Sequence, residues 1–150
     1  MQTTCSGCGL VLEEVSWPDP AGYAATRECF RLFGELTSQT QTLQDPAFPH
    51  QHAVDAYAAQ HATEDSPPIK TTFALIGLYL ACERGFTGRE VQLEHMRLGR
   101  RRREWPRFFR QIAAGVTVAD VLAERSTLNE WAASVWREWE PDHPKVRELA

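Results

Sequence analysis

One stretch of this chain constrains its fold more than any other. Ser66-Pro67-Pro68 opens it, Gly85 closes it, and FALIGLYLACE between them is apolar nearly all round. Serine is a favoured helix N-cap, proline suits the first helical turn, and glycine suits the left-handed residue after the last. A helix without a polar face must be covered on every side. The segment Ile69–Glu83 therefore predicts the centre of a bundle, with Cys82 inside it as a small core residue.

Elsewhere the punctuation is helical too. After an irregular start through Pro18 and Pro20, a helix is predicted from about Gly22 to Gln41, with Cys29, Phe33 and Leu36 on its apolar stripe. A second should run from about Phe48 to His61. Thr87 and Glu90 have capping-box spacing and open a fourth. Thr117 precedes the short VADVLAE helix, and a last helix from about Thr127 to Glu140 aligns Leu128, Trp131, Val135 and Trp139 before Pro141 ends it. Strand signals are confined to Leu10–Val15, which could form a small ribbon. The predicted fold is mainly α: an irregular helical bundle with an N-terminal zinc-knuckle loop module. One domain is expected over 1–150, with 1–21 as knuckle and loop and 22–150 as bundle. No apolar run approaches the roughly 18 residues of a membrane span, and MQTTCSGCG lacks a basic-then-apolar leader pattern. A cytoplasmic chain is expected, so its four cysteines point to thiol or metal chemistry before disulfides.

The most specific chemistry lies in Cys5-Ser6-Gly7-Cys8-Gly9. Two cysteines flanking two residues can clamp one tetrahedral ion through a tight turn. A thioredoxin-like redox pair would need a strand–helix context that this start does not offer. The knuckle is half of a zinc site. Cys29 lies within loop reach of it. Among the histidines of the second helix, His50 and His61 are separated by about 16 Å along the axis and cannot share an ion. His50 and His52 face roughly 200° apart. His50, beside the turn from the first helix, is the preferred fourth ligand, giving Cys5, Cys8, Cys29 and His50 around Zn²⁺. His52, His61 and Glu28 are the substitutes.

The net charge of −4 hides an uneven distribution. Between Arg97 and Arg110 seven arginines face one acid, Glu104. Arg97, Arg100, Arg101, Arg102 and Arg103 could contact nucleic acid or another acidic partner. A solvated helix end, favoured by the helix dipole, is the preferred alternative.

CSGCG, ECF around Cys29, VDAYAAQH, LYLACERG, VTVADVL and WAASVWREWEP together resemble a bacterial family of unknown function with N-terminal CxxCG and central VDAYAxQHP motifs. The resemblance covers nearly the whole chain. It implies a cysteine at Cys29 and a histidine at His50. It leaves out Cys82 and His52, where that family carries aliphatic residues, and Ala62 stands where it has proline. It implies no activity.

VDAYAAQH admits two interpretations. Asp55, Tyr57, Gln60 and His61 could line a polar pocket, with Asp55 and His61 as the candidate acid–base pair. The preferred interpretation is a buried hydrogen-bond network that selects one packing of the bundle. Three functions remain open. The preferred one is a zinc-stabilised helical protein with a partner-binding or regulatory role, the metal mainly structural. A small zinc enzyme using Asp55 and His61 is the alternative. A thiol redox or zinc-sensing switch is the third.

Overall fold

The computed structural model describes residues 1–112 and 115–150. The chain begins as a ribbon in which β1 (Gln2–Thr4) pairs antiparallel with β2 (Val11–Glu13), Thr3 opposite Leu12. CSGCG makes the turn between them. Cys5 N–H donates to Leu10 O at 2.8 Å and Gly9 N–H to Cys5 O at 2.9 Å. Gly9 supplies the positive φ, +80°, that this turn needs.

Helix α1 (Arg27–Thr42) starts later than its apolar spacing predicts, because Thr26 caps it. The Thr26 hydroxyl accepts the N–H of Cys29 at 3.2 Å. The alanine-rich α2 (His50–Gln60) follows. Helix α3 (Pro68–Arg84) ends at Gly85, left-handed at φ +68°. Ser66 does not cap it; its hydroxyl accepts from Thr63 N–H and donates to Gly22 O, tying two loops together. Helix α4 (Gly88–Arg101) carries the expected Thr87–Glu90 capping box. In α5 (Val118–Ala123) the same spacing recurs, Thr117 N–H donating to Asp120 at 2.8 Å. Helix α6 (Leu128–Glu138) bears the tryptophans, and α7 (His143–Leu149) closes the described chain.

Packing follows burial. Helix α3 contacts α2, α4, α6 and α7, with Leu75, Ile76 and Leu78 fully enclosed. Helix α2 is just as central: Ala53, Ala56 and Ala59 are fully buried, and their small side chains let α1, α3, α4 and α6 close around it. Leu128, Trp131, Val135 and Trp139 are buried as their stripe predicts. Each buried indole of α6 and its C-cap has a partner, as aromatic N–H groups in cores require. Trp131 donates to Gln60, Trp136 to Glu83 and Trp139 to Ala59 O.

Two expectations need correction. Cys82 is exposed, not core, because the last turn of α3 opens onto a cavity of about 430 Å³ lined also by His52, Phe86 and Asn129. Beyond Pro141 the chain is helical again. Pro144 sits in the first turn of α7, where its missing N–H costs nothing. No helix among the described residues is long and apolar enough to cross a membrane.

Candidate metal centre

The first two helices run antiparallel. At one end Thr40 Oγ1 lies 2.9 Å from His50 Nδ1; at the other Cys29 Sγ lies 3.6 Å from His61 Nε2. Cys29 is in the first turn of α1, so the residue level with it is the C-cap of its neighbour, His61. The loop before α1 holds this end closed, Ala24 N–H donating to His61 O at 2.6 Å. The ribbon is anchored beside it by Glu28, whose carboxylate accepts Thr3 Oγ1 at 2.9 Å and Val15 N–H at 3.0 Å.

The ligand-capable atoms of Cys5, Cys8, Cys29 and His61 consequently meet, all within 4.8 Å of one another. Cys8 and Cys29 sulfurs are 3.7 Å apart. Zinc–sulfur bonds of about 2.3 Å at tetrahedral angles place sulfurs roughly 3.8 Å apart, and zinc-bound nitrogen and sulfur roughly 3.5 Å apart. The observed spacings fit a shared ion and are far beyond a disulfide bond. The imidazole is preset as well. His61 Nδ1 is 2.9 Å from Tyr57 O, a carbonyl that can only accept. The proton therefore sits on Nδ1, and the Nε2 lone pair faces the thiols, as metal-binding histidines require.

Electrostatics points the same way. S–H groups of Cys29 and Cys8 directed at Cys5 pull that thiol far below its ordinary range. An S–H from Cys29 favours a Cys8 thiolate too, but contact with Cys5 and burial together push Cys8 up to about 12. Cys29 is pushed higher still by its contacts with Cys5 and Cys8 and by burial. Only Cys5 is thus favoured as a thiolate on its own; ionising all three sulfurs in one buried space would require a cation among them. Exposure of the four residues is 2% or less.

His50 stands apart from this cluster, its imidazole held by Thr40 and Gln41. The residue brought to the three cysteines is His61. Glu28 is committed to the ribbon, and His52 lines the cavity beside Cys82. The polar residues of VDAYAAQH do not share a pocket. Gln60 joins Trp131 to Val116 O, and Tyr57 and His61 face the cysteines. Asp55 is buried against Gly77 of α3, where any Cβ would collide with its Oδ2. Its Oδ1 accepts from Gln51 at 3.0 Å, and burial raises its carboxyl well above the ordinary value.

Several arginines of the basic run are tied to the protein itself. Arg97 pairs with Glu94, Arg102 donates to Glu104 O beside Trp105, Arg107 holds Glu64 O, and Arg110 grips Asp142.

Fold and site together define a helical-bundle protein with a buried Cys₃His cluster where an N-terminal ribbon meets two helices. The chain belongs to DUF5946, a family of unknown function, whose model matches residues 3–140. No protein of curated function and no solved structure matches it.

Proposed function

We propose that this chain is a non-catalytic zinc protein of the cytoplasm, folded as one domain, in which Zn²⁺ held by Cys5, Cys8, Cys29 and His61 locks the ribbon onto α1 and α2. The observation that carries this is the convergence of four buried ligand atoms with His61 already in the metal-binding tautomer. Four protein ligands and complete burial favour a structural ion over a catalytic one, which keeps a position open to water. The enzyme alternative loses its acid–base pair, because His61 is committed to the cluster and Asp55 packs against Gly77. Elemental analysis tests the assignment. Purified protein should hold one zinc per chain; Cys5→Ser, Cys8→Ser, Cys29→Ser and His61→Ala should lose it, and His50→Ala and Cys82→Ser should keep it. Zinc retained in His61→Ala and lost in His50→Ala would refute the ligand set.

The partner-binding role rests on α4 and its continuation. Leu93 and Met96 are exposed on this helix, and Arg100, Arg101 and Arg103 follow them. An acidic protein or nucleic acid would suit such a surface. Replacing these three arginines with glutamine should weaken retention on a polyanion and flatten its salt dependence. Absence of wild-type retention at low salt would remove the nucleic-acid branch.

A further inference from the structure

We infer that Tyr57 belongs to the metal centre as its outer-sphere hydrogen-bond donor, its hydroxyl donating to the Cys29 sulfur and setting how strongly that thiolate binds. The inference rests on the Cys₃His reading of the site. Tyr57 Oη lies 3.3 Å from Cys29 Sγ, and Tyr57 is fully buried, so water cannot serve the hydroxyl. Among the described residues its oxygen has no other polar contact. The ring cannot turn away. It is stacked between Phe33, at 4.0 Å and 6° from parallel, and His61, at 3.9 Å and 22°. Once Cys29 is a thiolate ligand it has no proton to give, so the hydrogen bond can run only from tyrosine to sulfur.

The three sulfurs explain why a side chain is needed here. Cys5 and Cys8 lie in the knuckle turn between β1 and β2. Cys29 lies in a helix, and its own N–H is spent on the Thr26 cap. Zn²⁺ with three thiolates and a neutral imidazole leaves one net negative charge, buried and in need of donors. Tyr57 provides one at Cys29. The same residue therefore serves the site twice: its carbonyl orients His61 and its hydroxyl steadies Cys29.

Cobalt(II) substitution reads this directly, because sulfur-to-cobalt charge-transfer absorption reports the electron density on each thiolate. Tyr57→Phe keeps the stacked ring and deletes only the donor. Its charge-transfer absorption should move to lower energy, and zinc affinity, measured against a competing chelator, should fall about tenfold. Phe33→Leu disturbs the stack without touching the hydroxyl and should leave the absorption in place. Incorporating 3-fluorotyrosine makes the phenol a stronger donor and should move the band the other way, in a protein that needs no substitution to fold. An unchanged spectrum in both Tyr57→Phe and the fluorotyrosine protein, or an equal shift in Phe33→Leu, would overturn the inference. Absence of charge-transfer absorption in the wild-type protein would instead refute the Cys₃His centre itself.

Discussion

Gly7 lies directly against His61. A Cβ at residue 7 would stand 2.5 Å from His61 Cδ2 and would also strike the carbonyl oxygen of Ala24. The knuckle closes over the imidazole because its second intervening residue has no side chain. Gly7→Ala should lift the turn from His61 and weaken zinc binding about tenfold or more, the range typical of lost outer-sphere support. Competition titration against a chromophoric chelator measures this. Wild-type affinity in Gly7→Ala would mean that the turn and the imidazole do not need this contact.

Metal removal should act locally. The Cys₃His cluster joins the β1–β2 turn to the ends of α1 and α2, whereas Leu75, Ile76 and Leu78 are buried in α3, which contributes none of its ligands. Zinc binding supplies folding free energy to the segment it organises. Chelation should therefore speed amide exchange through roughly the first 25 residues while the helices keep their protection. Cooperative loss of protection across α3 and α6 on chelation would show that the bundle depends on the ion.

Much of the fold is legible locally and much of the site is not. The Thr87–Glu90 capping box and Gly85 depend on neighbours in the chain, and both stand where their spacing predicts. So does the burial of the tryptophan stripe, and β2 falls within the expected Leu10–Val15, whereas its partner β1 (Gln2–Thr4) carries no strand signal in the sequence. The residue paired with the cysteines depends on helix direction instead. His50 is nearest to α1 along the chain, but an antiparallel hairpin sets it beside Thr40 and carries His61 to Cys29. The signal was present: Cys29 near the start of one helix implies a partner near the end of the next. The centrality of α2 was hidden by alanines, which score as weakly apolar yet allow the closest packing. Cys82 shows the converse, an apolar context at a helix end that the fold leaves open.

Asp55 predicts a pH dependence. Its carboxyl is raised well above the ordinary value by burial, with only the Gln51 contact opposing. Between the unfolded value of about 4 and the raised folded value, the native state keeps a proton that the unfolded state has lost. Stability attributable to this group is thus present at low pH and declines as pH rises through that window. Asp55→Asn keeps the shape and removes the titration. Its stability relative to wild type, from urea unfolding at a series of pH values, should increase toward neutral pH. A constant difference at every pH would show that Asp55 titrates normally.

X-ray absorption at the zinc edge reads the ligand shell itself. One zinc per chain is expected, with three sulfur neighbours near 2.3 Å and one imidazole nitrogen near 2.0 Å. The imidazole component should vanish in His61→Ala and persist in His50→Ala. A first shell containing water or carboxylate oxygen in the wild-type protein, or no bound metal at all, would contradict a closed Cys₃His site.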